Sequence, residues 1–207
     1  MKNHVRSILV VTALLVSTTG AIAQTITLVS GNGPIGTRDP NTIFSIDNGV
    51  TFTNAFIPTP NGLYSSIPGA NWIGVQADGN GPSNTTNIYR TSFTLPVGFT
   101  GPSISISILA DDQAVVFLNG HFVGAQSFPA SPPNYNNPPS VFSTANAAQF
   151  LTGANILEIR CFNQPGVQPN PTGIDFSAVV VPEPSAFILT GTGLVGLLLT
   201  YRRRRNT

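Results

Sequence analysis

The chain has 207 residues, of which only 8% are charged, and it is rich in glycine (20) and proline (18). Its formal charge of +1 hides an uneven distribution: Lys2, Arg6 and Arg202 to Arg205 stand at the two ends, leaving Arg38, Arg90 and Arg160 against seven acidic residues between Gln24 and Val181, a net charge of −4 there. That balance excludes a basic nucleic-acid-binding surface, and Cys161, the one cysteine, excludes an intramolecular disulfide.

Lys2 and Arg6, the apolar run from Ile8 to Val16 and the small residues Ala21-Ile22-Ala23 have the order of a secretory signal peptide over residues 1–23. Cleavage by signal peptidase would leave Gln24 as the first mature residue and remove His4. Residues 24–180 are then enough for a single domain, one that buries roughly 70% of its unfolded surface without staples.

Within that region Thr25 to Val29 alternates, with Ile26 and Leu28 on one face, and predicts a first strand. Ser30 to Pro40 reads as a loop. Short apolar pieces follow at Ile43 to Ile46 and Val50 to Ile57 around the turn Asp47-Asn48-Gly49. Pro58 to Gly69 is loop-like, Asn71 to Val75 predicts a strand carrying Trp72, and Gly79 to Asn87 is a polar connection. From Ile88 the pattern sharpens: Thr91, Phe93 and Leu95 share one face of a half-buried strand and Arg90, Ser92 and Thr94 the other. Ser103 to Ile108 alternates serine with Ile104, Ile106 and Ile108, the clearest period of two in the chain. Ala114 to Leu118, Asn119-Gly120 and His121 to Gly124 predict a hairpin, because a type I′ turn requires positive φ at both central residues. Ser127 to Pro139 is too proline-rich for helix or central strand. Ile156 to Phe162 predicts a strand with Leu157, Ile159 and Cys161 on its buried face, Gln164 to Thr172 a loop, and Ile174 to Val180 a closing strand. With no convincing helical period in 24–180, the expected class is all-β, a sandwich or jelly roll.

The last stretch has three parts in order: a turn at Val181-Pro182-Glu183-Pro184-Ser185, an uncharged apolar run from Ala186 to Tyr201, and Arg202, Arg203, Arg204 and Arg205. As a helix the run 186–201 spans about 24 Å, short for a hydrocarbon core of about 30 Å but able to cross it if the arginines snorkel. The arginines would then stay cytoplasmic and the rest of the chain lie outside. This arrangement resembles the PEP-CTERM sorting signal, carried here by Pro182, Glu183 and Pro184, the apolar run and the terminal arginines. The resemblance implies recognition by an exosortase, transient residence in the inner membrane, removal of the tail and delivery to the cell surface or beyond. It also implies an association with exopolysaccharide and biofilm. A generic C-terminal membrane anchor is the alternative reading.

A second resemblance rests on Tyr89 to Phe93, Ala110-Asp111-Asp112, Val116 to Gly120 and Leu151 to Leu157, which are similar to pieces of the galactose-binding-like jelly roll. It implies that fold over roughly 72–180, and many members bind carbohydrate. The candidate site residues follow from the loops. Tyr64 and Tyr135 could stack on a sugar, and Asn134 and Asn136 could hydrogen-bond to it. Asp111 and Asp112 are a candidate carboxylate pair, although neighbours in a strand point to opposite faces and a turn in which one of them accepts a backbone N–H fits them as well. The resemblance allows a structural calcium ion, but two adjacent aspartates fall short of the six to eight oxygens that calcium takes. His121, placed just after the hairpin turn, reads as an exposed strand-end residue and Trp72 as core. No G-x-S-x-G elbow, zinc-type Cys/His spacing or phosphate-cradling glycine loop is present. The expected function is that of an exported, non-enzymatic surface or matrix protein. A carbohydrate-binding module is the alternative, and a polysaccharide hydrolase a third class.

Overall fold

Alternation along the strands builds this domain. The computed structural model describes residues 25–183, with Glu183 by its backbone alone. The signal peptide expected over 1–23 with its cleavage site at Ala21, Ala23 and Gln24, and the expected sorting tail with Pro184, the apolar run 186–201 and Arg202 to Arg205, lie outside the described residues. Ten strands follow in chain order: β1 (Ile26–Val29), β2 (Arg38–Ser45), β3 (Thr53–Phe56), β4 (Thr85–Leu95), β5 (Thr100–Asp111), β6 (Gln113–Leu118), β7 (His121–Ala125), β8 (Ser140–Thr144), β9 (Gly153–Asn163) and β10 (Gly173–Glu183). A single 3-10 turn at Ala147–Gln149 precedes β9. The strands form two sheets, one of four in the order β1-β10-β5-β8 and one of six in the order β3-β2-β4-β9-β6-β7. Every named pairing is antiparallel, and the result is the all-β sandwich that the alternating pattern predicted.

The core lies between the inner faces. Ile104, Ile106 and Ile108 of β5 and Ile174, Phe176, Ala178 and Val180 of β10 meet Tyr89, Phe93 and Leu95 of β4, Val116 and Leu118 of β6, and Leu157, Ile159 and Cys161 of β9. Fully burying one such aliphatic or aromatic side chain contributes about 1.5–3 kcal/mol, so the period of two holds the register: a slip by one residue would turn every isoleucine of β5 to solvent. The β6–β7 hairpin closes through Asn119 (φ 50°) and Gly120 (φ 82°), as the Asn-Gly pair required.

Three local expectations are corrected and one strand is added. Asn71 to Val75 forms no strand and makes only single bridges, Ile73 to Ile174 of β10 and Gly74 to Phe56 of β3, because the segment passes from one sheet to the edge strand of the other and pairs with each through one residue. β2 starts at Arg38, inside the stretch read as loop, with a register shift between Arg38 and Ile43. β8 gave no sequence signal: Val141 is 63% exposed and Phe142 half-buried, so this edge strand lacks the apolar alternation of the others. Finally, β10 runs on through Val181, Pro182 and Glu183, where a turn was expected. Pro182 lies beyond the last β1–β10 pair, Ile26 with Val180, and at a register shift against β5, so its missing N–H interrupts only one ladder.

Candidate functional site

One end of the sandwich gathers three long connections. There β5 and β9 finish while β4, β6 and β10 begin, as the pairs Thr85 with Asn163, Gln113 with Phe162 and Asp111 with Gly173 show. The connection 57–84 is tied to 126–139 by the Ser65 N–H donating to the Tyr135 carbonyl (3.0 Å) and the Asn137 N–H donating to Ser65 Oγ (3.0 Å). It is tied to 164–172 by the Gly81 N–H donating to the Asn170 carbonyl (3.0 Å). The same connection covers part of the outer face of the four-stranded sheet, where Ile67 and Trp72 bury Leu109 in a small second core.

Tyr64 is the centre of this end. Its ring lies 4.2 Å from that of Trp72 and 5.3 Å from that of Tyr135, both tilted, and such aromatic pairs contribute about 0.5–1.5 kcal/mol beyond their area. Trp72 is held in place by its indole N–H donating to the Ser65 carbonyl (2.7 Å). The Tyr64 hydroxyl donates to Asp111 Oδ2. Burial pushes the Asp111 carboxyl up to about 7; the Tyr64 hydrogen bond works against that shift and the neighbouring Asp112 charge adds to it. Burial, with the Asp111 charge second, raises the Tyr64 phenol far above its usual range.

Two clefts flank the aromatic stack. The larger, about 240 Å³, is lined by Tyr64, Trp72, Asn61, Asp78, Asn80 and prolines of both connections. The smaller, about 160 Å³, is lined by Asp112, Phe128, Asn134, Tyr135 and Gln164 among others. Asp112 accepts the Gln164 backbone N–H on Oδ2 (2.7 Å), the backbone acceptor role foreseen for one of the pair. Asn134 bridges the Asp112 carbonyl (2.8 Å) and the Ser127 carbonyl (2.9 Å) through Nδ2.

Of the residues singled out from sequence, Tyr64, Tyr135, Asp111, Asp112 and Asn134 come together here. Asn136 does not line either cleft; its backbone N–H turns back to the Pro133 carbonyl (2.9 Å). Trp72 is core by burial, at 3% exposure, and still floors the larger cleft. His121 is exposed at the far side of the hairpin turn. Sequence reading missed Phe128, Gln164, Asn61, Asp78 and Asn80. An aromatic inside a proline-rich loop was a usable signal for Phe128; nothing in one dimension links the others. The calcium reading does not fit these residues: Asp111 is closed off by Tyr64, Asp112 gives one oxygen to a backbone N–H, and the described residues hold no group of three or more ligating side chains.

No family model matches this chain, and no curated protein matches it in sequence. Solved structures with a similar fold include a β-glucuronidase from Ruminococcus gnavus (12% identity, TM-score 0.46, covering 77% of this chain and 30% of that one). Another is a β-glucuronidase from an uncultured Clostridium sp. (12%, TM-score 0.42, 77% and 29%). A family 35 carbohydrate-binding module from Clostridium thermocellum is similar over 74% of this chain and 97% of its own (12%, TM-score 0.39). The chain spans less than a third of the length of the glucuronidases it matches.

Proposed function

We propose that this chain is an exported, non-enzymatic carbohydrate-binding protein whose galactose-binding-like β-sandwich holds a short sugar segment at the loop end. The observation that carries this reading is the stacked trio Trp72, Tyr64 and Tyr135, bounded on either side by a cleft with amide and carboxylate side chains. Sugars are bound by aromatic faces against their C–H surfaces and by planar polar groups against their hydroxyls. At 160 and 240 Å³ both clefts are smaller than the roughly 300–1,000 Å³ of sites that enclose drug-sized ligands, so they suit a chain end or a single ring. Asp111 is buried, at 8% exposure, with its carboxyl capped by Tyr64, leaving Asp112 as the one carboxylate of the smaller cleft and Asp78 as that of the larger. Most glycoside hydrolases use two carboxyl groups facing across one substrate, and neither cleft offers such a pair, which favours binding over turnover. Export by the signal peptide 1–23 and processing by an exosortase at Pro182-Glu183-Pro184 belong to the same reading. They would deliver the domain to the cell surface or an exopolysaccharide matrix.

A glycan array probed with the full chain in mild detergent tests it. Retention on a defined glycan is expected, with Tyr135→Ala weakening it by about tenfold, the value of one lost stacking contact together with its area. Absence of retention on every glycan, or a Tyr135→Ala variant that binds like the parent, removes the reading.

A further inference from the structure

The outer face of the six-stranded sheet carries a surface remote in kind from the loop-end clefts. Cross-strand register sets Ile43, Arg90, Glu158, Phe117 and Phe122 in one row over five adjacent strands, about 19 Å at roughly 4.8 Å per strand. Glu158 organises the row. Its Oε2 accepts from Arg90 Nε (2.8 Å) and Nη2 (2.7 Å), and its Oε1 accepts from Arg160 Nε (2.7 Å). The Arg90 guanidinium lies over Phe52 (4.4 Å to the ring centre) and that of Arg160 over Phe117 (4.6 Å), and Phe117 meets Phe122 edge to face at 6.1 Å.

One carboxylate thus fixes two guanidiniums and neutralises one charge. The Glu158 side chain is 10% exposed, against 34% for Arg90 and 47% for Arg160. Arg160 uses only Nε on Glu158, and its two Nη groups make no hydrogen bond among the described residues. The strands of this sheet hold Arg38, Arg90 and Arg160, all the lysine and arginine among the described residues, against Asp39 and Glu158, both buried. The carboxylate of Asp47, in the turn after β2, is occupied by donors of its own turn: the Ser45 hydroxyl, the Val50 and Thr51 N–H groups and the Thr51 hydroxyl. Phe122 (60% exposed) and Ile156 (41%) add apolar surface beside the charges.

We propose that this face is a second glycan site that takes an extended acidic polysaccharide, with uronate carboxylates on Arg160 and Arg90 and a pyranose face on Phe122. A guanidinium fork matches a carboxylate in two parallel hydrogen bonds, and two guanidiniums against the one carboxylate of Glu158 leave the row with one positive charge to spare for an anionic chain. An acidic peptide fits less well. It would bring carboxylates to the arginines but no flat C–H face to lie against the exposed ring of Phe122. None of the charged residues or phenylalanines of the row lines either cleft, so the two sites stand or fall separately.

Affinity electrophoresis of the full chain in mild detergent, through gels containing polygalacturonate, its methyl ester or poly-glutamate, tests the proposal. Polygalacturonate should retard the protein and the methyl ester should not, and about 0.5 M salt should weaken the retardation by screening the exposed charges. Arg160→Gln should weaken it about tenfold, the value of a lost charge-assisted hydrogen bond, and Phe122→Ala several-fold. Both positions are surface-exposed, and Tyr135→Ala should leave this binding unchanged. Three results would overturn the assignment: no retardation by polygalacturonate, equal retardation by its methyl ester or by poly-glutamate, or an Arg160→Gln protein that migrates like the parent.

Discussion

Asp175 is fully buried on β10 beneath the 57–84 connection, where Ser30 Oγ (3.2 Å) and the Ile67 N–H (2.9 Å) donate to its carboxyl. Burial outweighs both hydrogen bonds and raises the group from 3.8 to about 6. Asp111, 8% exposed under Tyr64, rises for the same reason to about 7. Between pH 4 and these values the folded protein keeps protons that the unfolded chain has released, so stability falls as pH rises through that window and levels off above it. For Asp175 alone the fall is on the order of 3 kcal/mol. Urea unfolding followed by the fluorescence of Trp72 should therefore give a higher unfolding free energy at pH 5 than at pH 8, and Asp175→Asn should narrow the gap. Equal stabilities at the two pH values would contradict this account of the buried carboxyls. Neither burial was legible in the sequence: Asp175 stands on the face opposite Ile174 and Phe176, which alternation marks as solvent-facing, and only the loop folded over it makes that face an interior.

At the scale of elements, the β6–β7 hairpin shows how much local chemistry can specify. Asn119 and Gly120 supply the two positive φ angles, and the Asn119 side chain then ties the turn to its surroundings. Its Nδ2 donates to the Gln149 carbonyl and to Asn155 Oδ1 (2.8 Å each), and its Oδ1 accepts the Ile156 N–H (2.8 Å). Gly120 has open space around a would-be Cβ, so Gly120→Ala should cost only the left-handed backbone penalty, about 1–2 kcal/mol. Asn119→Gly keeps the turn geometry and loses the three hydrogen bonds, and should cost at least as much. Urea midpoints of the two variants against the parent measure both; a Gly120→Ala protein as stable as the parent would mean the turn relaxes out of the I′ form. β5 was equally plain from its isoleucine period, whereas β8 was not, because its pairing with β5 through Ile104 to Ile108 is decided by a neighbour far away in sequence.

At the scale of the whole molecule, the basic groups are confined to one sheet and the acidic groups are spread more widely. Among the described residues all three arginines lie on the six-stranded sheet with Asp39 and Glu158, while Asp78, Asp111 and Asp112 gather at the loop end without a basic partner. Cys161 is fully buried between the sheets with its thiol donating to the Asp111 carbonyl (3.3 Å), and burial raises it well above the ordinary thiol range, so it contributes packing and no redox chemistry. The export reading makes a prediction at this scale too. Intact-mass analysis of the protein recovered from outside its cells should show loss of residues 1–23 and of the tail beyond the Pro182-Glu183-Pro184 motif. Recovery of the unprocessed chain from the cytosol would refute it.

The alternating apolar pattern, the Asn-Gly turn and the placement of prolines determined by themselves that this chain would be an all-β sandwich, since each depends on neighbours within a few residues. The same one-dimensional information marked Tyr64, Tyr135, Asn134, Asp111 and Asp112 as loop or strand-end residues of binding type. Only the tertiary structure decided that Tyr64 caps Asp111, that Phe128 and Gln164 join Asp112 in one cleft, and that Arg90 and Arg160 share Glu158. Those contacts join strands and loops distant in the chain, and their energies depend on register and burial, which no local stretch of sequence carries.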